Sequence, residues 1–338
     1  MNSSATVPTK RPPSTESGIL REQKVFKQSV TRRAGVIGLG HMGEAFARNL
    51  IADGYQVTVY DRSQARMELL ESAGAKVASG LGDLALCQVI LTSLPDDSAL
   101  AQVALSAEGL VHVLAPGAIH ISMSTISPNL SRRLSEQHQL AGQGYVAAPV
   151  LGNPDLAHAR KLFVVAAGAA PALATVSPLL ERLGQRLFPM GEDPGAANLM
   201  KLAGNVLTAL TLESMGEVLA LLRKGGIDVH AAFEVLTNSL FDGKVHKTYG
   251  GKIADGRYSP PGMTAPLAVK DLRLALAEAE RAAVPMPATS LVHDRLVELV
   301  ARGWADLDWS ALGLLAAVNA GLGDAAEEAP RTMQRGGK

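Results

Sequence analysis

The sequence predicts an α/β domain with a parallel sheet covered on both faces, followed by an all-α domain, the two joined by one long helix. Three observations predict it. From Ala34 onward, short β-rich runs alternate with helical stretches, the pattern of strands linked by helical crossovers. Around Asp193 that rhythm stops, and apolar residues recur at helical spacing as far as Arg223-Lys224-Gly225-Gly226. Beyond that point only helical periodicity remains.

The elements follow in order. Residues 1–32 read as a disordered lead rich in Ser, Pro, Lys and Arg; they lack the apolar core of a secretory signal, and Glu16 and Glu22 argue against a mitochondrial transit peptide. The first domain, 33–193, holds six strand candidates: Gly35–Gly38, Gln56–Tyr60, Val89–Thr92, Ala118–Ser122, Tyr145–Ala148 and Leu162–Val165. Most are too uniformly apolar to be half-exposed, so they belong inside a sheet. Leu162 to Leu180 is an uncharged run of 19 residues, long enough to cross a bilayer. Gly168, Pro171 and Pro178 interrupt it, which makes it a buried strand, a turn and a new helix. Asp193 then caps, and Pro194 opens, a helix of about 30 residues and roughly 45 Å, longer than one domain needs and suited to a spine between two. The second domain, 194–323, continues with helical segments at 228–240, 266–283, 288–302 and 308–320. Residues 324–338 read as a disordered tail.

Composition narrows the function classes. The chain has 338 residues, 47% hydrophobic and 19% charged, enough for two cores at roughly 150 residues per domain. Its 32 basic and 32 acidic side chains cancel, leaving no global field to recruit nucleic acid or an anionic membrane. The single cysteine, Cys87, excludes an intramolecular disulfide and a cysteine-rich zinc cluster, and fits a reducing, cytoplasmic setting. The eight histidines show no paired ligand spacing, so no metal site is expected. Trp304 and Trp309 read as packing.

The first strand runs into Gly38-Leu39-Gly40-His41-Met42-Gly43 and then a helix, Glu44–Leu50. Gly38 permits a tight turn, Gly40 lets backbone approach a pyrophosphate, and Gly43 lets helix and strand pack closely. The free N–H groups at the helix start attract the anion. This strand–turn–helix context predicts a Rossmann dinucleotide site. Asp61 ends the second strand 18 residues after Gly43, where a carboxylate accepts from the adenosine ribose and repels a 2′-phosphate. Arg62 and Ser63 next to it suit that phosphate. The cofactor is therefore NAD or NADP, with a slight lean to NAD. His41 reads as a solvent-facing loop residue.

The long helix opens with Gly195-Ala-Ala-Asn198-Leu-Met-Lys201-Leu-Ala-Gly204-Asn205. Lys201 and Asn205, four apart, share a helical face and address one ligand. Gly204 costs about 1 kcal/mol relative to alanine in mid-helix, which implies a close neighbour. Further motifs are Ser93-Leu94-Pro95-Asp96-Asp97, Ser124-Thr125-Ile126-Ser127-Pro128, Ala148-Pro149-Val150-Leu151-Gly152 and Lys270-Asp271-Leu272.

In this order, over about residues 34–320, the motifs resemble those of the β-hydroxyacid dehydrogenases, the family of 3-hydroxyisobutyrate dehydrogenase and tartronate semialdehyde reductase. The resemblance implies that Leu94, Pro95 and Thr125 line the cofactor, that Lys201 is the catalytic lysine, and that Asn205 orients substrate. It also implies that Ser124, Leu151, Gly152 and Asn153 face the substrate, that Lys270 reaches the cofactor from the helical domain, and that the chain pairs as a homodimer or homotetramer. Hydride transfer between nicotinamide and a carbonyl carbon needs a proton moved on oxygen, a task a lysine performs. Near neutrality its pKa must fall by roughly 2–3 units from about 10.4.

Two residues depart from the family pattern. Leu151 stands where the family's substrate loop has serine, which removes a hydroxyl donor and favours a bulkier or less polar substrate; backbone N–H groups near Gly152 and the Asn153 amide remain for an anion. Thr208 stands where decarboxylating 6-phosphogluconate dehydrogenases carry a glutamate, which disfavours decarboxylation. Two alternatives stay open: an NADPH-dependent imine reductase, and a non-catalytic dinucleotide-binding partner protein.

Overall fold

The structure, a computed structural model, describes residues 32–322. The expected lead and tail therefore fall, but for Arg32, outside the described residues.

Nine strands form one sheet: β1 (Arg33–Ile37), β2 (Gln56–Tyr60), β3 (Lys76–Val77), β4 (Val89–Thr92), β5 (Ile119–Ser122), β6 (Gly144–Ala147), β7 (Val150–Leu151), β8 (Leu162–Gly168) and β9 (Gly184–Pro189). Their order is β3-β2-β1-β4-β5-β6-β8-β7, with β9 on β8. The first six run parallel in the 3-2-1-4-5-6 order of a doubly wound dinucleotide fold. β8 then turns antiparallel to β6 and β7. Parallel strands bury both faces, and Val36, Ile37, Ile90, Leu91 and Ile121 are almost fully buried. The helix His41–Ala52 lays Phe46 and Leu50 on Val57 and Val59 of β2, each large side chain contributing about 1.5–3 kcal/mol.

The spine helix, Pro194–Lys224, begins where Asp193 accepts a hydrogen bond from the Gly195 amide (2.9 Å) and pairs with Arg132 (2.8 Å). It packs against the helices Pro128–Leu140, Lys244–Ala254, Ala265–Arg281 and Leu312–Asn319, so one face serves the sheet-bearing half and another the helical half. A second core of Leu202, Leu212, Leu272, Leu296, Trp309 and Leu315 forms around it. Among the described residues it is the one helix long and apolar enough to cross a membrane, yet half of its most apolar stretch is buried inside the protein. The run 162–180 is β8 followed by the helix Ala170–Leu183.

Three short strands and one helix were not expected from the sequence. β3 and β7 are two residues each, too short for an alternation to register. β9 lies largely exposed and ends in proline, a composition that reads as loop. The helix Lys244–Ala254 contains Gly250-Gly251, which lowers its intrinsic propensity by about 1 kcal/mol per glycine; packing of Gly250 against Met215 and Phe233 overrides that. The terminal segment 308–320 is a 3-10 turn, Trp309–Ala311, running into Leu312–Asn319.

Candidate active site

The glycine loop leaves β1 at Gly38, whose φ of +84° suits glycine and whose N–H donates to the Tyr60 carbonyl (3.0 Å). A Cβ there would lie 2.3 Å from the Ser93 carbonyl oxygen, and one on Gly43 would lie 1.8 Å from that of Gly38. At Gly40, by contrast, a Cβ would meet nothing within 4 Å. Gly38 and Gly43 are thus filled by the protein's own backbone, while Gly40 fronts open space. Gly40 also caps the following helix without a side chain, so the first-turn N–H groups are not claimed by a side-chain cap. The loop fits a pyrophosphate.

Asp61 is already engaged. Its Oδ2 accepts from the Leu39 amide (2.6 Å) and its Oδ1 from the Ser63 amide (2.8 Å), which ties the end of β2 to the glycine loop. Arg62 is exposed beside it, and Arg66 approaches the same carboxylate at 3.9 Å. Glycine-loop residues and Asp61, Arg62 and Ser63 thus occupy the ends of β1 and β2. His41 is exposed at the first position of its helix.

Farther along the same strand edge, the ends of β4 and β5 meet a cavity of about 700 Å³ shared with the helical half. Met42, Leu94, Pro95, Ser124 and Thr125 border it from the sheet side; Lys201, Asn205 and Lys270 border it from the helices; Leu151, Gly152 and Asn153 border it from β7 and the turn after it. Ser124 accepts from the Leu94 amide (2.8 Å) and donates to the Thr92 carbonyl (3.4 Å), so its hydroxyl braces the loop that follows β4. Asn153 accepts from the Leu156 amide (3.0 Å), capping the short helix Pro154–His158.

A chain of polar contacts crosses the cavity wall. Lys201 Nζ donates to Asn205 Oδ1 (3.1 Å), and Asn205 Nδ2 donates to Asp271 Oδ2 (2.5 Å). The other Asp271 oxygen lies 2.8 Å from Lys270 Nζ, and Lys270 donates to the carbonyls of Thr125 (2.6 Å) and Pro95 (2.9 Å). Burial pushes the Lys201 amine below its ordinary value; the Asp271 carboxylate opposes that shift, and the positive Lys270 adds to it. Asp271 is the partner that sequence reading did not assign. It stood in the Lys270-Asp271-Leu272 motif, but nothing local placed it against Asn205.

Leu151 supplies the close neighbour that Gly204 implied: a Cβ on Gly204 would lie 2.8 Å from Leu151 Cδ2. β7 pairs Leu151 directly with Phe163 of β8, and Phe163 too borders the cavity, as do Lys244, Val245, His246, Thr248 and Tyr249 at the start of the unforeseen helix. No single-sequence signal marked either.

Known proteins carry the same plan. Residues 33–191 match the family model of the NAD binding domain of 6-phosphogluconate dehydrogenase, and residues 195–316 match that of NADP-dependent 3-hydroxyisobutyrate dehydrogenase. An uncharacterized oxidoreductase of Bacillus subtilis, YfjR, is 37% identical over 83% of this chain and 98% of its own. The chain belongs to the β-hydroxyacid dehydrogenase family. Glyoxylate/succinic semialdehyde reductase 1 of Arabidopsis thaliana is 30% identical over 82% of this chain and 96% of its own. Among solved structures, Psf3 in complex with NADP+ and 2-OPP superimposes with a TM-score of 0.76 at 25% identity, covering 83% of this chain and 99% of that one. An imine reductase from Pseudomonas sp. reaches 0.55 at 25% identity, over 85% and 99%. As a member of this family the chain is an NAD(P)-dependent oxidoreductase acting on CH–OH groups.

Proposed function

We propose that Lys201 is the proton donor and acceptor in an NAD(P)-linked dehydrogenase reaction on a small 3-hydroxy acid and its semialdehyde. One observation carries the reading: the Lys201 amine, lowered in basicity, opens on the cavity that also receives Leu94, Pro95 and Thr125, and is held there by Asn205. The bound nicotinamide supplies the acceptor or donor of hydride at carbon. In oxidation the neutral Lys201 amine takes the hydroxyl proton as hydride leaves the carbinol carbon; in reduction the ammonium returns a proton to the oxygen. Asn205, fixed by Asp271, turns its amide toward the lysine and orients the reacting oxygen. Lys270 binds the two cofactor-side loops to the helical half. Backbone N–H groups at Gly152 and Asn153 hold the substrate carboxylate, with the Asn153 side-chain oxygen spent on its helix cap.

The cofactor site takes the glycine loop, with Met42, Leu94, Pro95 and Thr125 toward the nicotinamide. The lean to NAD rested on Asp61 alone; held by the Leu39 and Ser63 amides it keeps an acceptor site on each oxygen, while Arg62 and Ser63 beside it suit a 2′-phosphate. We therefore read the site as NADP-accepting, and NADPH against NADH oxidation on one aldehyde decides it. Exposed Leu199 and Leu221 along the spine helix favour association of copies, testable by light scattering. A reducing, cytoplasmic setting suits the single, buried Cys87, and the domain boundary belongs between Asp193 and Pro194, where the spine helix starts.

The test is turnover of 3-hydroxy acids, semialdehydes and cyclic imines with both nicotinamides. Lys201→Ala is expected to retain cofactor binding, measured by fluorescence quenching, while losing turnover. Activity confined to imines would replace this reading, as would undiminished turnover by the variant.

A further inference from the structure

We propose that the substrate is a hydroxy acid, or its oxo partner, bearing a hydrocarbon substituent larger than methyl, and that Leu151 selects it. The inference rests on the dehydrogenase reading above and concerns what fills the rest of that cavity.

Three features carry it. Leu151 lies in the notch that Gly204 leaves in the spine helix, one residue before Asn205 and three after Lys201, and borders the same cavity as both. Its antiparallel register sets it opposite Phe163, which puts both side chains on one face of the ribbon as a continuous apolar wall. Along the helix, Leu207, Thr208 and Thr211 follow Gly204 at the spacing of one face and border the same cavity. The threonine hydroxyls donate to the Gly204 carbonyl (2.9 Å) and the Leu207 carbonyl (2.8 Å), so neither hydroxyl proton is free for a ligand. Leu207 is 66% exposed, apolar surface that a substituent would cover.

A small polyhydroxy acid placed here would give up water at the Leu151, Phe163 and Leu207 surface and find along the helix only threonine oxygens able to accept, an unfavourable exchange. A hydrocarbon group would instead bury against Leu151, Phe163 and Leu207. The pocket therefore discriminates by size and polarity at a single wall, and Leu151 is its central element.

The experiment uses the full chain saturated with its preferred oxidised nicotinamide. Oxidation of 3-hydroxypropanoate is compared with that of its 2-methyl, 2-butyl and 2-benzyl derivatives and of 2,3-dihydroxypropanoate, and unreactive acetate and hexanoate are titrated calorimetrically. The expected kcat/KM rises by about tenfold or more from the 2-methyl to the 2-butyl acid, in line with the value of a methylene in an apolar pocket, with the dihydroxy acid poorest; hexanoate binds at least about tenfold tighter than acetate. Leu151→Ser, with Leu151→Ala as a second variant should the first fold poorly, flattens both trends. A wild type that prefers the unsubstituted or dihydroxy acid, or trends that survive both substitutions, overturns the inference. The two failures separate: if no acid is oxidised with either nicotinamide the dehydrogenase reading falls, and the carboxylate titration still decides the character of the pocket.

Discussion

Two buried polar networks sit on either side of the sheet-to-helix junction, and they use nitrogen bases differently. In the sheet, Gln143 donates to the carbonyls of Val111 (3.1 Å) and Leu114 (2.7 Å), so its Oε1 accepts from His138 Nδ1 (2.6 Å). His138 Nε2 then accepts from His120 Nδ1 (2.8 Å), and His120 Nε2 accepts from the Thr92 hydroxyl (2.9 Å). With both imidazoles neutral, the state that burial favours, every ring nitrogen is matched by one tautomer of each. Burial lowers both pKa values, aided at His120 by His138. In the cleft, Lys201 is also lowered by burial, but it is flanked by Asp271 and Lys270 and opens on a cavity. The first network is closed and uncharged; the second is charged and has an unfilled side. Burial alone makes a base structural, whereas burial beside an open cavity makes one available for chemistry.

The comparison breaks most visibly at Lys201. Lys201→Ala should cost about 10²–10⁴-fold in turnover with an unchanged melting temperature, since a half-buried lysine at a cavity wall leaves no closed network behind. His138→Leu should do the reverse. It strands His120 Nδ1 and Gln143 Oε1, at about 1–3 kcal/mol for each unsatisfied buried group, and urea denaturation should show that loss while kcat per folded molecule stays near wild type.

Acidity sharpens the contrast. Both histidines are neutral in the fold with depressed values, while the unfolded chain titrates near 6.5. Their contribution is fully present above about pH 6.5 and is lost as the pH falls toward the folded values, because the unfolded state then binds protons that the native state refuses. Denaturation midpoints at pH 7.5 and 5.5 should differ accordingly, and the difference should shrink in His138→Leu. Lys201 shows the same sense in activity, though in a higher pH window: kcat/KM for oxidation rises with pH through a value below the ordinary 10.5. Asp271→Asn removes the carboxylate that holds that value up, so the rising limb moves to lower pH, and a pH–rate profile reads the shift. The smallest effect is expected at Gly204→Ala. Added helix propensity of about 1 kcal/mol offsets displacement of the flexible end of Leu151, so the melting temperature changes little, while relative activity across substrates of different size changes.

Much of this arrangement was written locally. The period of the strands, the cap at Asp193, the spine helix and the four-residue spacing of Lys201 and Asn205 are properties of neighbours in the chain, which short-range sterics and hydrogen bonding settle. Gly204 even announced a close contact without naming it. The sequence by itself therefore determined the fold class, the glycine loop between β1 and its helix, and the pairing of Lys201 with Asn205 on one helical face. Tertiary structure alone decided that Asp271, 66 residues away, fixes Asn205, that Lys270 reaches Pro95 across 175 residues, and that Leu151 fills the Gly204 notch. It also turned Asp61 onto the Leu39 amide, tying the end of β2 to the glycine loop. Such contacts join segments whose separation in the chain carries no periodic signal; they arise only when whole elements pack, and packing is where the cavity acquires its shape and its charge.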